Sequence, residues 1–458
     1  MKVVGSNDFP QIRKTATIVF WNHTRLTILI LVLTCITASL MNSLSFNFSV
    51  ICMNDLDGPN STHWIHETNK KSMLFSAPSI GALIGLLPSV PLISKFGVRY
   101  VLSFCGFCSS LGTLLFPITM EFNFYFVVLC RLLQGIGTSV VFTVVGTIPV
   151  HWASSDEMGT FLAILSCSFQ LSNVFCMPIS GILCESTWGW RSIYFIFGIF
   201  SLFAYIVFFL YFRDTPRFHR NVSHKELKKI EVGKNLRRRQ QVPYREIIHD
   251  QTILVSWLSV TGGNTGFFLL VLFGPTYLRD VLHFDVKATG FASALPFLIS
   301  AAFKFLAGAI SDRSTCVSEK IRFTIFAIAS QIGLAVGFCI MSLSSSKTVA
   351  QIAYTFAIAS SGLNVMGVVK CCQIRSRQHV HFVVAMISIS AAIIQFIIPI
   401  LIAIFCPDNT SEQWSRLFIC VSIFIIATNI PFPILARDES AEYTKEKLAM
   451  PIEEAQSK

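Results

Sequence analysis

The stretch VVLCRLLQGIGTSVVFTVVG (127–146) contains one charged residue, Arg131, in a run of 20 mostly apolar residues. A helix needs about 20 such residues to cross a bilayer. Twelve runs of this kind occur, at 27–51, 72–93, 100–119, 123–149, 160–184, 191–212, 252–278, 288–310, 321–343, 348–370, 381–405 and 416–436. The chain is only 13% charged, whereas soluble domains are about 25% charged. These patterns predict an all-α membrane protein with twelve transmembrane helices.

The charge distribution predicts which helix ends face the cytoplasm. The first 25 residues are polar, and they precede an apolar run longer than the roughly 7–15-residue core of a cleavable signal peptide. We therefore expect the first helix to be retained. Eleven lysines and arginines lie within 213–250, and positively charged loops face the cytoplasm. With an even number of helices, both termini are then cytoplasmic.

The basic segment divides the helices six and six. The predicted parts are a cytoplasmic N-terminal segment (1–26), an N-terminal six-helix bundle (27–212), a basic cytoplasmic linker (213–250), a C-terminal six-helix bundle (251–436) and a cytoplasmic tail (437–458). RRRQQ in the linker has the composition of a nucleic-acid patch, but its role in orientation explains it better. We expect a functional monomer in the lipid bilayer and no nucleic-acid partner.

Glycosylation sequons at Asn60 and Asn409 lie in loops predicted to be exoplasmic, whereas those at Asn22 and Asn221 would be cytoplasmic and unmodified. Glycosylation fits the plasma membrane and an endolysosomal or vesicle membrane equally, so the choice between these membranes stays open. The 14 cysteines are scattered, mostly through the spans, without the spacing of a disulfide framework or a zinc site. We expect them to be packing residues, and we expect no metal site.

Several motifs resemble those of a known transporter class. RLLQGIG, which begins at Arg131, resembles the R-x-x-Q-G-x-G motif in the fourth helix of the major facilitator superfamily. More specific resemblances, to the anion:cation symporter family with its vesicular glutamate transporters, sialin and type I sodium/phosphate cotransporters, are carried by WGWRSIYFIFG (188–198), PRFH (216–219), SHKE (223–226), GPTYLRDVLHFD (274–285) and GFASALP (290–296).

This resemblance implies the major facilitator fold, with a substrate path between two six-helix bundles. It also implies secondary active transport of a small, usually anionic solute. A proton or sodium gradient, or the membrane potential, would drive that transport. No cofactor is expected beyond a coupling ion, sodium or proton.

Short basic turns after the second and eighth helices resemble the facilitator loop motif G-x-x-x-D-R-x-G-R. GAISDR matches it with Asp312 and Arg313, whereas LISKFGVR contains Lys95 and Arg99 but has serine at the acidic position. In the superfamily this loop gates the inward face, so the resemblance implies a conformational gate at these four residues. The alternative is that Asp312 is a plain helix cap.

Four positions depart from the family pattern. Ser45 stands where members often have an arginine, and Phe75 stands where some have a histidine. Gly263 replaces a seventh-helix arginine of the glutamate carriers, and Thr138 stands where many proton-coupled members have a glutamate. Neither a glutamate cargo nor the family's proton relay therefore transfers to this chain.

Arg131 should lie about 12 Å below the outer end of the fourth helix, at about 1.5 Å per residue. Gln134 and Thr138 follow at three and seven residues and share its face, so the three are predicted to line a substrate path. Burying an arginine costs about 2.5–3.5 kcal/mol on insertion scales, and such residues are usually functional. Arg131 could bind an anionic group of the cargo or shift the protonation of a neighbour; a structural arginine paired with backbone carbonyls is the alternative.

Asn47, Asn264 and Asn364 are expected on the same path because the first, seventh and tenth helices line facilitator cavities, although single amides also link helices by hydrogen bonds. Weaker candidates are Gln170, Asn173, Gln331 and Gln395. We expect Lys304 to snorkel to the membrane interface. No acidic residue lies clearly in mid-span, which favours sodium coupling or potential-driven flux over a carboxylate proton relay.

Two rival functions need a test. The first is a sensor or scaffold built on a transport fold. The second is acyl transfer, because HWASSD (151–156) matches the H-x-x-x-x-D pattern in which a histidine acts as base beside a carboxylate. This match rests on two residues, His151 and Asp156, so we do not expect an enzyme.

Overall fold

A computed structural model of the chain describes residues 23–53, 56, 63–232, 242–313, 318–344 and 346–444. Not described within these ranges are the side chains of His66, Val90, Ser155, residues 308–313 and Gln378. The predicted glycosylation site Asn60 therefore lies outside the described residues, as do the side chains of Asp312 and Arg313.

Twelve helices of the described chain are long and apolar enough to cross a membrane, and they confirm the twelve predicted runs. They are α1 (Thr24–Cys52), α2 (Thr68–Ser89), α3 (Pro91–Thr119), α4 (Phe124–Trp152), α5 (Met158–Glu185), α6 (Arg191–Tyr211), α7 (Gln251–Val281), α8 (Val286–Ala307), α9 (Glu319–Leu343), α10 (Lys347–Ser376), α11 (Val380–Phe405) and α12 (Ser411–Leu435). The described residues contain no β-strand.

The helices form two six-helix bundles, the N-lobe (α1–α6) and the C-lobe (α7–α12). We call the side that carries the start of α1 and the α6–α7 connection the linker face, and the opposite side the distal face. Towards the linker face each lobe has its own apolar core, around Val32 and Phe208 in the N-lobe and around Phe323 and Phe432 in the C-lobe. Towards the distal face one continuous apolar core joins both lobes.

Part of the basic linker is folded and packs against the N-lobe. Ser223 caps the short helix His224–Glu231 by accepting a hydrogen bond from the backbone N–H of Glu226. The Glu226 carboxylate accepts from the backbone N–H of Arg25 at 2.8 Å, and the Arg25 guanidinium donates to Glu157 at 2.7 Å. These contacts attach the linker to the start of α1 and to the α4–α5 turn. The linker therefore has a structural contact in addition to its predicted role in setting the membrane orientation.

The ion pair between Arg25 and Glu157 predicts acid sensitivity of this linker contact. Hydrogen bonds from Arg25 and Lys229 hold the pKa of the Glu157 carboxyl at about 2, below its ordinary value of 4.5, although burial opposes the shift. A carboxylate whose pKa is lowered on folding contributes stability above its ordinary pKa and loses it as the pH falls through the folded value. The protection of His224–Glu231 against hydrogen exchange, relative to the unfolded chain at the same pH, should therefore stay high at neutral pH and fall between about pH 4.5 and pH 2.

Glu157→Gln is the control for this prediction. The variant should exchange faster than the unmodified chain at pH 7, and the two should converge towards pH 2. Equal exchange rates at pH 7 would contradict the role given to Glu157.

Two of the predicted packing cysteines are in fact paired. Cys52 at the end of α1 and Cys184 at the end of α5 form a disulfide, with 6.1 Å between their Cα atoms. The prediction was wrong here because the partners lie 132 residues apart, so no local spacing marks the pair. The bond joins two helices of the N-lobe at the distal face.

Candidate functional site

A cavity of about 980 Å³, including the solvent space open to it, lies between the two lobes. Its walls come from α1, α2, α4 and α5 of the N-lobe and from α7 and α11 of the C-lobe. The polar lining residues are Ser43, Asn47, Ser79, Arg131, Thr138, Ser139, Ser172, Asn173, Ser388 and Gln395. Most of them belong to the N-lobe, so the two walls differ in chemistry.

Arg131 lines this cavity while 1% of its surface is exposed. Its Nε donates to the carbonyl of Leu74 at 3.1 Å, and its Nη1 donates to the carbonyl of Ser43 at 3.0 Å and to Gln134 Oε1 at 2.6 Å. The guanidinium carbon lies 4.8 Å from the centre of the Phe46 ring. Among the described residues Arg131 pairs with no carboxylate, and its Nη2 makes no hydrogen bond.

The predicted polar stripe is divided between the cavity and the protein interior. Thr138 lines the cavity, and its hydroxyl donates to the carbonyl of Gly135 at 2.8 Å. Gln134 does not line the cavity; it is fully buried, and its Nε2 donates to Thr113 Oγ1 at 3.1 Å. Gln134 therefore holds the guanidinium of Arg131 from the side away from the cavity. The three-residue spacing predicted a shared helix face, but it could not tell a residue that lines the cavity from one that supports a lining residue.

The three predicted asparagines occupy different positions. Asn47 lines the cavity, and both its amide oxygen and its amide nitrogen are buried without a hydrogen-bond partner in the described structure. Asn264 is half-buried and is not a lining residue, but it lies on the α7 face of Phe267 and Phe268. Asn364 lies in the 3-10 turn Gly362–Val365 that interrupts α10, with its Oδ1 buried without a partner.

Aromatic rings close the distal end of the cavity, which the sequence pattern did not indicate. Phe75 of α2 stacks on Phe273 of α7, with 4.5 Å between ring centres, and meets Phe46 edge-on at 4.9 Å. The Phe75–Phe273 pair joins the two lobes directly. The ring of Phe75 thus makes this contact between the lobes apolar.

Two of the weaker candidates, Asn173 and Gln395, line the cavity, whereas Gly263 does not. Asn173 and Gln395 are lining residues on opposite lobes. Gly263 faces Gln331 of α9 instead: a Cβ built there would lie 2.5 Å from the Gln331 amide nitrogen. A larger side chain at position 263 would therefore meet α9 inside the C-lobe before it reached the cavity.

The predicted gate residues that are described make contacts within the N-lobe. Gly97 has φ of 85° and interrupts the helical course inside α3, near its linker-face end. The backbone N–H of Arg99 donates to Asp214 Oδ1 at 3.0 Å, and its Nε donates to the carbonyl of Phe209 at 2.8 Å. Lys95 lies over the ring of its neighbour Phe96. The loop is thereby tied to the end of α6, and its gating role stays a prediction.

The acyltransferase pattern falls at the linker face. His151 lies in the last turn of α4, and Asp156 lies in the one-turn 3-10 helix Ser155–Glu157. Glu157 of the same turn is engaged in the ion pair with Arg25. No group of three or more His, Cys, Asp or Glu residues that could hold a metal ion occurs within the described ranges.

Comparison with known proteins gives the following matches. The family model of the Major Facilitator Superfamily matches residues 28–399. Human sialin is 25% identical over 377 residues, which are 78% of this chain and 74% of that protein. Human sodium-dependent phosphate transport protein 1 is 26% identical over 388 residues, 82% of each chain.

Among solved structures, the chain is similar to a bacterial homologue of the human lysosomal transporter Spinster in its inward-facing, unoccupied conformation. The TM-score is 0.70 at 13% sequence identity, over 90% of this chain and 97% of that one. At this identity the likeness concerns the fold of the chain.

Proposed function

The chain belongs to the major facilitator superfamily, and on that premise we propose that it transports a small anionic solute across a membrane by alternating access. Its relatives include sialin and phosphate transport proteins, which supports an anionic cargo. Arg131 is the residue proposed to bind the anionic group, with Asn47 as a second hydrogen-bonding group.

The state of Arg131 is the observation on which the anionic cargo rests. A permanently charged guanidinium is buried against the cavity without a carboxylate partner in the described chain. Backbone carbonyls and one amide satisfy part of its donors, but they do not neutralise its charge. An anion in the cavity would neutralise it and could use the open Nη2.

The chemistry of the cavity wall also bears on coupling. Among the described residues that line the cavity there is no aspartate, glutamate or histidine. The described lining therefore offers no carboxylate that could carry a coupled proton. Thr138 stands at the position where the resemblance implies a glutamate in many proton-coupled members. We propose that a sodium gradient or the membrane potential drives transport.

We further propose that the linker face is cytoplasmic. The linker is strongly basic, which favours the cytoplasmic side. The Cys52–Cys184 disulfide lies at the distal face, and disulfides persist on the oxidising side of secretory-pathway and surface membranes. Asn409, one of the two sequons predicted to be exoplasmic, lies in the distal turn before α12, where it would be glycosylated.

Reconstituted vesicles test the proposed transport. Uptake of labelled phosphate, urate, sialate, glutamate and aspartate should be measured under separately imposed sodium, proton and voltage gradients. We expect accumulation of at least one anion under a sodium or voltage gradient, and little effect of a proton gradient. Binding of an anion without accumulation would support a sensor instead, and accumulation driven only by protons would contradict the proposed coupling.

A further inference from the structure

Lys304 is a further buried cation that the transport site described so far does not use. Its side chain was expected to reach the membrane interface, but 7% of the residue is exposed. Its ammonium donates to Ser166 Oγ of α5 at 2.6 Å, across the boundary between the lobes. This is its one hydrogen bond to the described residues, and no carboxylate there pairs with it.

The position of Lys304 relates it to the cavity. Lys304 lies 18 residues from the distal end of α8, and Arg131 lies seven residues from the distal end of α4. At about 1.5 Å per residue, Lys304 is about 16 Å nearer the linker face than Arg131. Phe142 also lies 18 residues from the distal end of its helix, α4, and it lines the cavity. Lys304 therefore lies level with the linker end of the cavity, and Arg131 lies towards its distal end.

The seam between α5 and α8 explains why Lys304 is covered. Gly181 and Gly290 pack closely near the distal face, where a Cβ on either would lie 3.3 Å from the other's Cα. Ser166 lies fifteen residues from Gly181 along α5, and Lys304 lies fourteen residues from Gly290 along α8. Both spacings are close to four helical turns, so Ser166 and Lys304 lie on the same helix faces as the two glycines. The helical course of α5 is interrupted at Cys167, directly beside Ser166. Separation of the two helices at this end would uncover the ammonium.

We propose that Lys304 forms a second anion-binding position at the linker end of the cavity. In the present conformation Ser166 occupies one of its three donors, and no described carboxylate neutralises the positive charge. When α5 and α8 separate towards the linker face, an anion replaces the Ser166 hydroxyl and stabilises that open conformation. This inference rests on the proposed anion transport, in which the cargo would pass from Arg131 to Lys304 as the lobes move.

Anion-dependent thermal stability in lipid nanodiscs tests the proposal without requiring transport. The unfolding temperature is measured while inorganic phosphate or chloride replaces gluconate at constant ionic strength. Arg131→Gln should still be stabilised by the anion, whereas Arg131→Gln/Lys304→Gln should not. A larger effect of phosphate identifies an oxyanion like the proposed cargo, and a larger effect of chloride identifies a free halide as the ligand.

Ser166→Ala is the matched control because it removes the hydrogen bond between the lobes and keeps the ammonium. It should retain the anion effect, with a half-saturating concentration at or below that of the unmodified chain, since the hydroxyl no longer competes. Lys304→Arg should also retain it. If Lys304 merely held the lobes together, Ser166→Ala and Lys304→Gln would change the protein alike, and the proposal would be overturned.

Transport in vesicles provides the second measurement, in case the double variant does not fold. With anion supplied at the linker face, Lys304→Gln should raise the half-saturating concentration at least tenfold. With anion supplied at the distal face, the concentration should change less than twofold. An equal change at both faces, or none, would overturn the second position. A chain that binds anion through Lys304 but moves none would instead overturn the proposed transport.

Discussion

Arg131→Ala is expected to abolish gradient-driven accumulation of the proposed anionic cargo. The variant removes the buried cation that lines the cavity, together with its hydrogen bonds to the carbonyls of Leu74 and Ser43. Without the guanidinium, the anion would lose a charge-assisted contact through two hydrogen bonds, and with it both the electrostatic attraction and the fixed orientation. We expect Arg131→Lys to recover a part of the activity at best, because an ammonium does not reproduce the planar fork of donors. Initial uptake rates, normalised to folded protein, check this prediction.

The contacts of Arg131 also require a stability measurement alongside uptake. Each buried carbonyl left without its donor costs about 1–3 kcal/mol, so Arg131→Ala should unfold at a lower temperature. Arg191→Ala is a suitable control: Arg191 at the distal start of α6 is partly exposed and pairs with Glu121 at 3.4 Å, and such surface pairs contribute about 0–1 kcal/mol. Normal accumulation by folded Arg131→Ala would show that the arginine is structural and would remove the basis of the proposed site.

Gly135→Ala is expected to destabilise the N-lobe more than any other glycine-to-alanine change in α4. A Cβ at position 135 would lie 2.0 Å from the carbonyl oxygen of Pro78 in α2. The obstacle is backbone, so a rotamer change cannot relieve it, and α2 and α4 must move apart. Overpacking of this kind costs about 1–3 kcal/mol, and we expect the upper end of that range. Thermal unfolding and the yield of folded protein in detergent measure the effect.

Gly146→Ala in the same helix is the matched control, because nothing lies within 4 Å of a Cβ at position 146. This variant should be neutral or slightly stabilising, since alanine favours a helix more than glycine does. Equal unfolding temperatures for Gly135→Ala and Gly146→Ala would show that the close approach of α2 and α4 does not limit stability.

The architecture was predictable from the sequence because it depends on local properties. The length of an apolar run determines whether a helix can span a bilayer, and all twelve predicted runs correspond to helices in the structure. The spacing of Arg131 and Thr138 placed both on one face of α4, and both line the cavity. The R-x-x-Q-G-x-G motif indicated the superfamily, which the family match over residues 28–399 confirms.

The candidate site was predicted less completely. Gln134 shares the face of Arg131 but supports it from behind, and Asn264 and Asn364 do not line the cavity. Phe75 was noted as a departure from the family pattern, yet its contact with Phe273 in the other lobe was not foreseen. In each case the missing information is which neighbouring helix a given side chain meets.

The sequence by itself determined the number of spans, the division into two sets of six, and the buried charge in α4. Only the tertiary structure decided that Cys52 pairs with Cys184, that Arg131 donates to carbonyls of α1 and α2, and that Lys304 meets Ser166 across the lobes. The physical reason is that a membrane helix is apolar on most of its circumference, so hydrophobic periodicity does not determine its rotation or its partners. Close packing and a few polar contacts determine these, between residues that are 57 to 138 positions apart in the chain.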